Sequence, residues 1–154
     1  MGETSAILKR RILPARSARA VDERNLITQA LENLKAIPNL EVKQVSYESG
    51  KVDRRLDCSF LLSFGQKKFK IAAEVKASGE PSLLRRSAAW LKNSLTSGKY
   101  DYAMIIAPFV SREGAEICRE SGVGFVDLSG NCLLSLDGLY VERTGYPNKF
   151  KKPR

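Results

Sequence analysis

The sequence contains no histidine, and this absence removes several classes of chemistry. Its three cysteines, Cys58, Cys118 and Cys132, are widely separated and form no C-x-x-C pair. A structural zinc site is therefore all but excluded, because such sites combine closely spaced cysteines and histidines. Ser-His-Asp and Cys-His nucleophilic machinery is excluded as well, since both need an imidazole base. We expect buried thiols in a reducing cytoplasm, and any chemistry must come from carboxylates, lysine, hydroxyls or a metal ion held by oxygen ligands.

Long apolar runs are also missing. No stretch approaches the length that crosses a bilayer, and none resembles a signal peptide. The 154 residues are 43% hydrophobic and 28% charged, which is ordinary for a globular domain and argues against wholesale disorder. We therefore expect one cytoplasmic domain with a core of its own.

Negative charge is in the minority. Lys and Arg total 26 against 17 Asp and Glu, which gives a formal net charge of +9 and a pI near 9.6. Such a surplus favours a polyanionic partner, although it is also compatible with a merely well-solvated basic protein. The cations cluster near both ends and in the middle, at Lys9, Arg10, Arg11, Arg16, Arg19, Lys67, Lys68, Lys70, Arg85, Arg86, Lys149, Lys151, Lys152 and Arg154.

Three segments are predicted. Residues 1–20 form a basic N-terminal arm interrupted by Pro14, residues 21–145 form the folded domain, and residues 146–154 form a basic C-terminal tail. Hydrophobic periodicity predicts helices over residues 22–37, 82–97 and 111–121, the first capped by Asp22, the second by Ser82 and the third starting at Ser111. It predicts strands over residues 41–48, 55–64, 68–77, 102–108, 123–128, 133–136 and 139–141.

The most informative residues are Asp57 and the triplet Glu74-Val75-Lys76. Side chains alternate along a strand, so Glu74 and Lys76 share one side while Val75 points into the core. A turn at Gly65-Gln66 can fold the strand of Asp57 back beside that of Glu74. Two carboxylates held together repel each other unless a cation lies between them, and Mg²⁺ or Mn²⁺ accepts such ligands. The opposing interpretation is a plain cross-strand ion pair.

At these residues the chain resembles the PD-(D/E)XK, or restriction-endonuclease-like, nuclease superfamily. The matching residues are Asp57 in R-L-D-C-S-F and Glu74-Val75-Lys76 in A-A-E-V-K-A, and element order agrees from about Asp22 to Leu128. Leu56 stands where the superfamily often has proline. The resemblance implies an α/β fold with an α-β-β-β-α-β core and a mixed central sheet flanked by helices, here with an additional helix and a terminal hairpin.

The resemblance also implies site residues. Asp57 and Glu74 would bind Mg²⁺ or Mn²⁺, Lys76 would orient or help to deprotonate water, and a glutamate early on the first helix would hold a metal-bound water. Glu23 fits that last place because it continues the apolar stripe of its helix, and Glu32 is the second choice. Cations that could contact phosphates are Arg85, Arg86, Lys67, Lys68 and Lys70, with solvated surface as the alternative.

The expected function is therefore metal-dependent hydrolysis of phosphodiester bonds, with DNA as the expected substrate. Two alternatives stay open: a catalytically inactive nucleic-acid-binding module on the same scaffold, and a regulatory domain that binds an acidic protein. A homodimer is compatible with this type of nuclease. Substrate structure, DNA against RNA, and pathway are left open.

Overall fold

The computed structural model describes residues 23–47 and 56–149. Helix α1 occupies residues 23–35. The strands are β1 (Leu40–Tyr47), β2 (Cys58–Phe64), β3 (Lys67–Val75), β4 (Tyr102–Ala107), β5 (Gly124–Asp127), β6 (Cys132–Leu136) and β7 (Leu139–Arg143). Helix α2 (Pro81–Ser94) continues into a 3-10 turn at Leu95–Ser97, and α3 is Arg112–Ser121. The predicted basic arm, the predicted Asp22 cap, residues 48–55 and the last five residues lie outside the described residues.

The strands form one mixed sheet in the order β1-β2-β3-β4-β5-β6-β7. The pairs β1–β2, β2–β3, β5–β6 and β6–β7 are antiparallel. The pairs β3–β4 and β4–β5 are parallel, and helices α2 and α3 make the crossovers between these strands. The predicted fold class is confirmed: the order α-β-β-β-α-β is present, followed by the additional helix and a terminal hairpin that extends the sheet.

Helices cover both faces of the sheet, which creates two cores. One core packs α1, through Ile27 and Leu34, against residues such as Ile71 and Met104. The other packs α2 and α3 against alternate residues of the same strands, including Ile105. Strand β4 is buried along its whole length because it lies between the two layers. Among the described residues, six polar or charged side chains are buried, and one of them is Glu74. A buried carboxylate indicates a candidate functional site.

The predicted cap of the second helix was wrong. Helix α2 begins one residue earlier, at Pro81, and Glu80 precedes it without a side-chain capping hydrogen bond. Proline suits the first helical position because its fixed φ is already helical and its missing N–H would have no partner there. At α3 the expected start is confirmed, since the Ser111 side chain accepts a hydrogen bond from Gly114 N–H.

Strand β1 does not alternate regularly. Its pairing with β2 shifts between Lys43 and Ser46, and Gln44 has a φ of 53°. The shift puts Val45 on the same core-facing side as Val42, although simple alternation would separate them. The bulge leaves Gln44 and Ser46 exposed.

All three cysteines are buried, as expected, and none forms a disulfide. Burial raises the pKa of Cys118 to about 12 and that of Cys132 to about 11, so both stay as thiols. Within residues 23–47 and 56–149, no helix is long and apolar enough to cross a membrane.

Candidate metal centre

Asp57 immediately precedes β2 and forms hydrogen bonds with the end of β3. Its backbone N–H donates to the Ala73 carbonyl over 2.9 Å, just beyond the last ladder pair, Cys58 with Ala73. Its carboxylate Oδ2 accepts the Val75 N–H over 2.7 Å. Asp57 is therefore bonded to the residues on either side of Glu74. The tight turn between β2 and β3, with Gly65 at a φ of 62°, sets this register.

Glu74 points to the face covered by α2. Strand alternation puts it beside Ala72, which packs in the α2–α3 core, and the glutamate is only 3% exposed. Its Oε1 accepts a short hydrogen bond from the Ser87 hydroxyl on α2. The Lys76 ammonium lies 3.3 Å from the same oxygen. Glu74 is thus a buried carboxylate with two polar partners, as a buried charge requires.

Lys76 follows the last residue of β3 and remains attached to the sheet. Its N–H donates to the Ile106 carbonyl of β4 over 2.8 Å, so the backbone around the E-x-K triplet stays paired on both sides. The Lys76 side chain is 28% exposed, and Asp57 is half-buried. The centre is therefore open to solvent from the side of Asp57 and Lys76, whereas Glu74 forms its floor.

Like charges meet at Asp57. Its pKa is raised from 3.8 to about 6, chiefly by burial, while the Val75 N–H bond lowers it. The carboxylates of Glu23 and Glu74 raise this pKa further, and Lys76 lowers it. A carboxyl group whose ionisation is opposed by two neighbouring carboxylates is stabilised as an anion when a cation joins the group.

The donors fit a hard divalent cation that keeps several waters. Mg²⁺ is bound in proteins through one or two carboxylates, with water and phosphate oxygens completing the octahedron, and Asp57 with Glu74 could supply those carboxylates. Among the described residues, no group of three or more Asp, Glu, Cys or His side chains is arranged to hold a metal. The remaining ligands would have to be water, backbone or substrate oxygens. The Ala73 carbonyl already accepts the Asp57 N–H.

The two glutamates considered on the first helix have different surroundings. Glu23 is half-buried at the first described position of α1, and its charge acts on Asp57. Glu32 is exposed and forms an ion pair with Lys35 at 3.1 Å. Of the two, Glu23 is the one whose charge acts on Asp57.

The structure separates the two arginines at the start of α2. Ser87, which contacts Glu74, marks the flank of α2 that faces β3. Lys92 approaches Gly122 on the other flank. At 100° per residue, Arg85 lies within about 20° of Lys92, whereas Arg86 lies about 100° from Ser87, on the side of the helix that faces solvent. Both side chains are exposed.

The three lysines of β3 are likewise divided between the two faces of the sheet. Lys68 and Lys70 alternate with Ala72 and Glu74 and so share their face. Lys67 lies on the opposite face and donates to the Asp137 carbonyl over 3.0 Å. Lys68 and Lys70 are therefore the two that stand on the same surface as the carboxylates.

Ser87 is the residue that sequence reasoning missed. It lies on the predicted apolar stripe of α2, three residues after Leu84 and four before Leu91, and it is 2% exposed. A serine inside such a stripe needs a buried acceptor, and that requirement was the available signal. Asp127 accepts hydrogen bonds from the N–H groups of Val110, Ser129 and Asn131.

No protein-family model matches the sequence, and the comparison with curated proteins gives no match. Among solved structures the chain is similar to EndoMS in its apo form, with 16% identity and a TM-score of 0.45 over 69% of this chain and 45% of that one. It is also similar to SfsA of Pyrococcus furiosus in complex with Ca²⁺, with 19% identity and a TM-score of 0.33 over 85% of this chain and 64% of that one. The chain spans less than two thirds of either protein. Likeness at this level transfers no activity or residue, so the fold class rests on the element order and sheet described above.

Proposed function

We propose that this protein is a metal-dependent nuclease that hydrolyses phosphodiester bonds, with DNA as its main substrate. The observation that carries the proposal is the pair of hydrogen bonds between Asp57 and β3. Through its hydrogen bonds with Ala73 and Val75, Asp57 holds its carboxylate beside that of Glu74, which raises the pKa of Asp57. A divalent cation would relieve this repulsion. Structural ion pairs do not need a second, mutually repelling carboxylate.

Each residue of the centre has a proposed role. Asp57 and Glu74 hold the divalent cation, Mg²⁺ or Mn²⁺, which when bound polarises the phosphate and makes water a stronger nucleophile. Lys76, whose ammonium is 3.3 Å from Glu74 Oε1, orients the attacking water and offsets the charge that develops on the phosphate. Glu23 holds a water on the α1 side.

Hydrolysis joins the water oxygen to phosphorus and breaks the bond from phosphorus to the leaving sugar oxygen. The chain must also position the strand. Lys68 and Lys70, on the face that carries Glu74, and the exposed Arg85 and Arg86 on α2 would contact phosphates, while Lys67 would contact more distant parts of the nucleic acid. The net charge of +9 favours such an encounter.

The test is incubation of the protein with supercoiled plasmid, single-stranded DNA, branched DNA and RNA, in Mg²⁺, Mn²⁺ or EDTA. We expect cleavage with a divalent cation only, and a loss of about 10²-fold or more in Glu74→Gln, which keeps the shape of the side chain but removes a charged metal ligand. Lys35→Ala, an exposed change on α1, is the matched control for general damage. Undiminished cleavage by Glu74→Gln would refute the assignment.

One observation favours a second candidate, an inactive nucleic-acid-binding module. Glu74 is almost fully buried, accepts a hydrogen bond from Ser87 and forms an ion pair with Lys76. This arrangement is stable without a metal. Binding of DNA that is the same in EDTA and in Mg²⁺, with no cleavage of any substrate, would establish that alternative.

A further inference from the structure

A second polar pocket lies on the sheet face that carries the carboxylates. It has a volume of about 300 Å³, and its lining includes Gln44, Ser46, Ser59, Lys70, Lys99 and Tyr100. These residues come from β1, β2, β3 and the turn between the 3-10 helix and β4. The antiparallel part of the sheet extends beyond α2 here, and within residues 23–47 and 56–149 no helix covers this part of its face.

The pocket is connected to the candidate metal centre by two strands. Ser59 follows Asp57 by two residues on one strand, and Lys70 precedes Glu74 by four residues on the next. At about 3.3 Å per residue, the pocket lies roughly 7–13 Å along the sheet from the carboxylates. A nucleic-acid strand advances about 3.4 Å per nucleotide along a duplex axis, so this distance corresponds to roughly two to four nucleotides.

The pocket combines the groups that bind a nucleotide. Lys70 and Lys99 are exposed cations, and the Lys99 ammonium lies 5.5 Å from the centroid of the Tyr100 ring. The Tyr100 ring is half-buried and packs against the α2–α3 core, so the part that stays accessible lies beside the two ammonium groups. The nearby carboxylate of Asp101 is bonded to the Lys70 backbone N–H over 2.7 Å and fixes the turn that carries both cationic and aromatic side chains.

The bulge in β1 supplies hydrogen-bonding groups to the same pocket. Gln44, at a φ of 53°, and Ser46 flank the register shift, and Ser46 pairs with Ser59. A non-glycine residue in the left-handed region is uncommon, and bulges that redirect side chains are frequent beside functional sites. Gln44 and Ser46 of the bulge and Ser59 of β2 thus add an amide and two hydroxyls to the lining of the pocket.

We propose that this pocket binds one unpaired nucleotide of the strand that is cut, a few nucleotides from the scissile phosphate. The proposal rests on the nuclease function proposed above, because the bound nucleotide belongs to the strand that the nuclease cleaves. A base inside a duplex has both faces covered by its neighbours, so only an unpaired base can stack on Tyr100. The substrate class is therefore DNA or RNA with a single-stranded or unpaired segment beside the cleavage point.

The experiment measures binding without cleavage. Fluorescence anisotropy follows a labelled mixed-sequence single strand and a duplex of the same length, both in EDTA. We expect tighter binding of the single strand. Tyr100→Leu, which keeps bulk but removes the ring, should weaken that binding about tenfold, since stacking on an aromatic side chain contributes this much or more. Tyr100→Phe should bind like the original protein.

Charge is tested by a matched pair of lysines. Lys99→Ala should weaken single-strand binding several-fold and reduce the slope of log K against log salt by about one. Lys92→Ala removes the same charge from an exposed site on the far flank of α2 and should change both quantities less. Equal effects of Lys99→Ala and Lys92→Ala would contradict the proposal that this pocket binds a nucleotide. Equal binding by Tyr100→Leu and Tyr100→Phe would contradict it as well.

Failure of the pocket and failure of the nuclease are distinguishable. If Glu74→Gln loses cleavage while Tyr100→Leu binds normally, the pocket is wrong and the nuclease stands. If no substrate is cut but Tyr100→Leu still loses single-strand binding, the pocket stands on an inactive scaffold. Duplex binding that exceeds single-strand binding would contradict the proposed substrate class.

Discussion

Asp57 has a hydrogen bond that favours its anion and surroundings that disfavour it. The Val75 N–H lowers its pKa, yet burial and the charges of Glu23 and Glu74 raise that pKa from 3.8 to about 6. In the metal-free protein the ionised side chain therefore opposes folding. The favourable contribution of the protonated group is complete below about pH 4 and is lost as pH rises through about 6.

Asp57→Asn keeps an oxygen that can accept the Val75 N–H and removes the charge. In EDTA the variant should gain stability relative to the original protein as pH rises from 4 to 7.5, with most of the change before about pH 6. Urea unfolding at a series of pH values measures this difference. Saturating Mg²⁺ at pH 7.5 should reverse it by stabilising only the protein that has the carboxylate. A difference independent of pH would contradict this account of Asp57.

Ser87 holds Glu74 in place from α2. Ser87→Ala leaves a buried carboxylate oxygen with Lys76 as its remaining described partner, and we expect a loss of about 1–3 kcal/mol in the free energy of unfolding. Cleavage should fall as well, because Glu74 loses its orientation. Ser82→Ala, an exposed change in the first turn of α2, is the control and should cost little. Equal stability of both variants in urea unfolding would show that the Ser87 bond contributes nothing.

At the scale of elements, strand and helix periodicity predicted the whole order of the fold from sequence. Strand β4 was recognisable because it lies between two helical layers and is apolar throughout. The bulge at Gln44 was not, because its register depends on how β1 meets β2 and not on local pattern. The proximity of Asp57 and Glu74 was predictable because a hairpin places their two strands side by side. The contact of Ser87 with Glu74 depends on the packing of α2, which the sequence does not encode locally.

The segment between β3 and α2 depends on a close backbone approach. A Cβ on Gly79 would lie 1.9 Å from the Phe109 carbonyl oxygen, which cannot yield without moving the chain. Gly79→Ala should therefore cost roughly 1–3 kcal/mol of stability by thermal or urea unfolding. Gly114→Ala is the comparison, because its Cβ meets side-chain atoms of Leu84 and Val110 and alanine favours the helix. A smaller loss for Gly79→Ala than for Gly114→Ala would contradict the geometry.

At the scale of the whole molecule, the net charge of +9 predicts that the proposed nucleic-acid binding depends on salt. Lysine and arginine contacts with phosphates release counterions, so affinity should fall at least tenfold between about 50 and 200 mM KCl. Anisotropy titrations in EDTA at several salt concentrations measure this slope. Affinity that does not change with salt would mean that the basic surface does not contact phosphate.

The central claim is that Asp57 and Glu74 share one divalent cation, and paramagnetic broadening by Mn²⁺ tests it most directly. In amide NMR spectra, small additions of Mn²⁺ should first broaden the signals of residues 56–58 and 74–76. The same additions should leave these signals sharp in Asp57→Asn and Glu74→Gln, and excess Mg²⁺ should restore them in the original protein. Broadening that centres elsewhere, or that persists unchanged in both variants, would contradict the claim.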